Sequence, residues 1–332
     1  MAEESRAYNL FDALMKRPRL PWYRLTAVVF VVLLLLLILV TYLDGALTHL
    51  SVWRFWQDFL QAPVIIIYIL LIYPFLSRLY RRAVEAFRPL LSLEKGDFDR
   101  LVAEVYVGKR RWEWTAMFIG AGFWLALERP WRFVDQWLHV YMMVTHVLMF
   151  ALLGWLIYVS LAGNRHLARL NRQHLNMDVF DSGVLAPIAH WGLGISLVFI
   201  GGISLSVVFE PFENMLDWQN ITVWAVIICV PVVVFFLSIW STHSAMARVK
   251  RRELDLARKH LAAASRELKD RVAQGRVEGM EGLSSALAAW ATFERRVKEA
   301  PAWPFDAGSI RRLMVSLPIP GIVYAVKIFL GG

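Results

Sequence analysis

Val223 to Trp240 reads VWAVIICVPVVVFFLSIW, and from His243 the chain continues HSAMARVKRRELDLARKHLAAASRELKDRVAQG to Gly275. The first stretch is apolar enough for a membrane core; the second is charged and helix-forming. Within it Leu254, Leu261 and Leu268 recur every seven residues. Ala257, Ala264 and Val272 fill the alternate step, which predicts a coiled-coil-like seam. Gly275 and Gly279 mark a turn. A second helix follows, with Met280, Leu283, Leu287, Trp290 and Val297 at similar spacing. Pro301 and Pro304 end it, because proline removes a donor and biases the preceding residue away from helical angles. Ile310 to Leu330 is apolar again. The sequence thus predicts a membrane span that leaves the bilayer, doubles back as a helical hairpin and re-enters as a last span.

Composition places the rest of the chain in the same class. Of 332 residues, 58% are hydrophobic and only 19% charged, with 15 Trp. Soluble domains carry more charge than this, so the expected fold is an all-α membrane protein. The net charge of +9 could point to nucleic acid, but the placement of the basic residues accounts for it and no nucleic-acid partner is expected. The single Cys229 can build neither a disulfide framework nor a thiolate metal site.

Residues 1–24 are polar and basic, a cytosolic N-terminal segment. Leu25 to Leu43 is long enough to cross a hydrocarbon core of ~30 Å, and too long for a signal-peptide core. Gly45 to Gln61, with Trp53, Phe55 and Trp56, suits a helix at the interface belt. Ala62 to Leu79 is a second span broken by Pro63 and Pro74, and Glu113 to Leu127 a short third, marked by Gly120 and Gly122. Trp137 to Leu161 is a fourth, whose helical pattern runs on through Arg165, His166, Arg169 and His174. Asp181 to Phe209 holds a fifth, with Gly192, Gly194, Gly201 and Gly202 beside Ser196, Ser204 and Ser206 for close helix contact. Ile221 to Thr242 is a sixth, kinked at Pro231. The chain divides into 1–24, a six-span bundle over 25–242, a cytosolic hairpin over 243–305 and a last span in 306–332.

Charge gives these seven spans a direction. Thirty-two of the 36 Lys and Arg residues fall before span one, between two and three, between four and five, or between six and seven. The positive-inside rule makes that face cytoplasmic, so the N-terminus is inside and the C-terminus outside. This is the reverse of G-protein-coupled receptors and retinal proteins. The expected location is the plasma membrane, multi-pass, of a prokaryotic cell.

Catalytic signatures are lacking. The sequence has no phosphate-binding Gly-Lys loop, no His-Glu-x-x-His, no cysteine pair and no nucleophile elbow. No enzyme activity, cofactor or metal is expected. His139 and His146 share a face of the fourth span and His190 begins the fifth. Ionisable residues at membrane depth are functional candidates, and the ordinary alternative is an interhelical hydrogen bond. Arg81, Arg82, Arg88, Lys109, Arg110 and Arg111 form a basic stripe, readable as a solvated face or as a site for anionic head groups. The hairpin leucines could form a signalling coiled coil or a packed stalk.

The last span carries Ser316, Pro318, Pro320, Gly321, Tyr324 and Lys327. Pro-x-Pro-Gly at mid-depth frees carbonyls that need protein or water partners. A kinked helix inside a bundle or a segment lining a hydrated path provides them. On the second reading Ser316, Pro320 and Tyr324 line a pore, and Asp44, Glu128, Asp135, Glu210, Glu213 and Asp217 place negative charge at its outer mouth.

The arrangement resembles the insect odorant and gustatory receptor family: seven spans, N-terminus inside, and a sixth span continuing as a cytosolic helix that returns to launch the seventh. That family's C-terminal signature is Thr-Tyr, five mostly apolar residues, then Gln-Phe. Here the corresponding run is Val323-Tyr324, Ala325 to Phe329, then Leu330-Gly331, and Tyr324 is the matching position. The resemblance implies a ligand-gated cation channel, generally tetrameric, with the cytosolic helix ends as its anchor and the last helix lining the pore. The partners implied are further copies of the chain, membrane lipids and permeant ions. Leu254, Leu261, Leu268, Leu283, Leu287 and Trp290 are the expected assembly residues. Two other readings stand beside it: a membrane sensor or scaffold signalling through the hairpin, and a small-molecule transporter, against which the lack of an internal repeat counts.

Overall fold

The computed structural model describes residues 21–91, 95–105, 110–128, 136–173, 180, 182–209, 218–275, 279–300, 315–316, 318–323 and 326. Every regular element among them is helical: α1 Trp22–Leu43, α2 Trp53–Glu85, α3 Arg88–Leu91, α4 Lys95–Val105, α5 Arg110–Glu128, α6 Trp137–Leu170, α7 Ala186–Phe209, α8 Trp218–Ala273 and α9 Met280–Glu299. Short 3-10 turns precede α2 and α7. By length and composition four helices can cross a membrane: α1, the α2–α3 run of 39 residues, α6 and α7. These answer to the first, second, fourth and fifth expected spans. The third falls in α5, and the sixth in the first half of α8. The seventh lies mostly outside the described residues, where 315–316, 319–323 and 326 are helical.

Two details depart from the sequence reading. Trp53 to Gln61 is not a separate interface helix but the first turns of α2, and Pro63 and Pro74 sit inside that unbroken 33-residue helix. A proline interrupts one backbone bond, and in an apolar helix packed by neighbours the freed carbonyl finds other partners. The carbonyl that Pro74 leaves free is that of Leu70, four residues earlier, and Trp22 of α1 donates to it from Nε1 at 2.5 Å.

The core is built from α2, α6 and α7 around Ile66, Ile69, Trp155 and Ile195, all almost fully buried. Phe87, Leu90, Phe98 and Val102 of α2–α4 close it at the basic end, and α1 lies against α2 and α6. A smaller cluster of Leu37, Phe55, Leu138 and Tyr141 closes the opposite end.

Glycine lets the helices approach. A Cβ on Gly120 of α5 would run into the Phe150 carbonyl oxygen of α6, and one on Gly154 would lie 2.5 Å from the Ala116 carbonyl oxygen. The α5–α6 crossing is therefore backbone on backbone, the small-residue packing that serves where lipid is the solvent. In α7, a Cβ on Gly201 would lie 2.6 Å from the Tyr68 hydroxyl, and Gly194 faces Leu79. Tyr68 uses the space to donate to the Val198 carbonyl oxygen at 2.7 Å.

α8 is one helix of 56 residues, about 84 Å at 1.5 Å per residue. It turns at Gly275 and Gly279, both in the left-handed region at φ 67° and 77°, where an L side chain is strained. α9 then runs back along it.

Candidate functional site

Three places could carry function: the last helical segment, the hairpin, and the buried polar groups at the basic end of the bundle.

In the last segment Ser316 is buried and bonded, and Pro320 is half-buried. Val315, Ile319, Ile322 and Val326 are exposed. Tyr324 and Lys327 lie outside the described residues. Of the outer charges, Asp44 is engaged in structure: its carboxylate accepts the N–H groups of Trp137 and Leu138 at 3.1 and 2.7 Å, capping α6 from the end of α1. Glu128 is exposed at the end of α5 and engaged there. Asp135, Glu210, Glu213 and Asp217 lie outside the described residues.

In the hairpin the heptad positions are turned inward. Leu254, Leu261 and Leu268 are half-buried, as are Leu283, Leu287 and Trp290 of α9, while Ala257 and Val297 are fully buried. Leu254 packs with Val297, Ala300 and Phe293, and His260 stacks on Trp290 with ring centroids 4.4 Å apart. The seam therefore joins α8 to α9 of the same chain. Val272, read as part of it, stands out in solvent, 58% exposed, at the last turn before the glycines. Charge locks the two helices together. Glu294 accepts from Lys298 at 2.9 Å and from Arg258 at 3.1 Å, and these two hold its carboxyl below the usual range, Lys298 first. Lys250 donates from Nζ to the Lys298 and Ala300 carbonyl oxygens at 2.7 and 2.8 Å. It thereby satisfies carbonyls that the end of α9 leaves unpaired, with a cation at the negative end of the helix dipole.

The basic end holds the polar groups that the sequence did not single out. Glu113, in the first turn of α5, is 2% exposed and accepts from Trp155 Nε1 at 3.0 Å. Tyr73 packs against the Trp155 ring, 5.3 Å between centroids. Tyr80 of α2 hydrogen-bonds His166 Nδ1 of α6, both buried. Trp191 of α7 donates to Asn164 Oδ1 at 3.0 Å and lies 5.2 Å from the Tyr80 ring. Gly163 makes room, since its Cβ would be 2.8 Å from Trp191. Arg248 of α8 donates to the Asn171 carbonyl oxygen at 2.7 Å. Each pair joins two helices, so the set fixes the relative heights of α2, α5, α6, α7 and α8. A buried polar group without a partner would cost about 1–3 kcal/mol, which explains why these occur as pairs.

The three singled-out histidines do not come together as ligands. His146 donates from Nδ1 to the Met142 carbonyl oxygen at 2.9 Å, within its own helix rather than across to another, and stacks on Trp124. His139 is half-buried, with Nδ1 unpartnered among the described residues, and His190 is exposed. No group of three His, Cys, Asp or Glu side chains among the described residues is placed to hold a metal ion. Cys229 is exposed on α8.

No family model, curated protein or solved structure matches this chain.

Proposed function

We propose that the chain is a seven-span, homo-oligomeric ion channel of the plasma membrane, a tetramer by the resemblance noted above, with its basic end in the cytosol. α5, the first half of α8 and the last segment are the remaining spans. The observation that supports this reading is the continuity of α8. A single helix of 56 residues is about twice as long as a bilayer with its head groups is thick. Its apolar half leaves Trp218, Ile221, Ile228, Phe236 and Trp240 exposed, while its charged half forms a closed hairpin with α9. The hairpin seam is satisfied within the chain, so copies meet through the outer faces of the hairpins. A rigid rod of this kind would transmit displacement between the cytosolic hairpin and the last span that follows it. Permeant cations are favoured by the acidic outer loops; on this reading Lys327 lies away from the axis and Pro320 and Tyr324 face it, while Ser316 is buried within the chain.

The test is the mass of the full chain in lipid nanodiscs. A single symmetric homo-oligomer is expected. A monomer would leave the last span with no axis to line, and would favour the alternative in which the hairpin serves a membrane sensor.

A further inference from the structure

The buried pairs at the basic end set the height of an uncompensated arginine collar. Arg78, Arg81 and Arg82 stand at i, i+3 and i+4 of α2, which places them on one face. All three are exposed, while Tyr80, Ala83 and Val84 of the same turns are buried. Arg88 is exposed on α3, Arg110 and Arg111 on α5, and Arg165 and Arg169 on α6. Glu85 shares the α2 face, and Asp97 and Asp99 are exposed on α4, where Asp97 pairs with Arg100 at 3.9 Å. None of the eight collar arginines makes an ion pair among the described residues.

Helix contacts set the depth of these residues. Tyr80 meets His166, so Arg81, Arg82, Arg165 and Arg169 each lie within three residues of that contact, about 5 Å along the axes. Trp155 meets Glu113, so Arg110 and Arg111 sit about two turns nearer the membrane centre. The opposite end is marked by Asp44 capping α6 at Trp137. From Trp137 to Arg165 is roughly 42 Å along α6, and to the level of Arg110 roughly 32 Å. A hydrocarbon core is about 30 Å thick and a bilayer with head groups about 40–45 Å. The collar therefore begins where the core ends and covers the head-group layer. Trp112 and Trp114, exposed beside it, suit that depth, and Arg111 lies 5.7 Å from the Trp112 ring.

We propose that this collar binds the phosphates of anionic phospholipids in the adjoining leaflet. Guanidinium groups hold phosphate oxygens bidentately, which ammonium groups do not, and four of these arginines lie on two adjacent helices near the level of the Tyr80–His166 contact. The inference rests on the membrane reading but not on channel activity.

The full chain is reconstituted in vesicles of 70% phosphatidylcholine and 30% phosphatidylglycerol, extracted in polymer nanodiscs, and the retained lipid quantified. Membrane residence is checked separately by carbonate extraction, so that loss of the membrane reading is recognised as such. Phosphatidylglycerol should be enriched at least twofold over the bulk fraction. The enrichment should fall to bulk in Arg81→Gln/Arg82→Gln and in Arg165→Gln/Arg169→Gln, and by about half in Arg81→Lys/Arg82→Lys. Wild-type nanodiscs at bulk composition would overturn the proposal. So would glutamine variants that stay enriched, or lysine variants equal to wild type, which indicate diffuse charge. Thermal midpoints give a second measurement: phosphatidylglycerol should raise the wild-type value above that in phosphatidylcholine alone. If inorganic phosphate in pure phosphatidylcholine nanodiscs raises it equally, the site is one for free phosphate and the lipid proposal fails.

Discussion

The Asp44 carboxylate, just past the end of α1, accepts the N–H of Leu138 at 2.7 Å, so that one helix closes the first turn of another 94 residues on. Loss of a side chain that caps a helix N-terminus costs about 0.5–2 kcal/mol. Asp44→Ala should lower the thermal midpoint in detergent accordingly, and Asp44→Asn, which keeps an acceptor, should lower it less. Equal midpoints for all three proteins would show that the cap carries no energy.

Gly120 and Gly122 offer a matched comparison. A Cβ at Gly120 meets backbone of α6, whereas one at Gly122 meets nothing within 4 Å. Overpacking costs about 1–3 kcal/mol, and alanine in a helix is favoured over glycine by about 1 kcal/mol. Gly120→Ala should therefore destabilise the protein and Gly122→Ala should be neutral or stabilising, measured by thermal unfolding of the two variants side by side.

The difference between these two glycines marks what could be read from the sequence. The heptads of Leu254, Leu261 and Leu268 and the turn at Gly275 and Gly279 are local, and the structure has helices and a break where they stand. The apolar runs of α1, α6 and α7 are equally plain. The pairs Glu113–Trp155, Tyr80–His166 and Asp44–Leu138 join residues 42, 86 and 94 positions apart, and nothing local in either partner names the other. His166 was visible only as part of a helical pattern, and Glu113 only as the start of a span. Gly45 to Gln61 reads as an interface helix from Trp53, Phe55 and Trp56, while the packing of α2 against α6 and α7 carries one helix from Trp53 through Pro63.

Hairpin stability should depend on pH through Glu294. Lys298 and then Arg258 hold its carboxyl below the ordinary glutamate range. A depressed folded pKa means that this contribution is complete above about 4.5 and is lost as the pH falls through the lower folded value. The difference in thermal midpoint between wild type and Glu294→Gln should be largest near neutral pH and shrink as the medium is acidified below about 4.5. A constant difference across that interval would contradict the pairing.

Topology can be read by cysteine accessibility on a Cys229→Ala background. Ala263→Cys, exposed on α8, should react with a membrane-impermeant maleimide only from the cytosolic side. Asn214→Cys should react only from outside. The reverse pattern would invert the proposed orientation.

The central claim is tested by reversal potential. The purified protein in planar bilayers under a KCl gradient should carry current that reverses toward the potassium equilibrium potential. Lys327→Gln should leave that direction unchanged, because the proposed channel has Lys327 off the axis. A reversal toward chloride that shifts to potassium in Lys327→Gln would show that the last helix presents its other face. No current from a correctly inserted oligomer would contradict the channel itself.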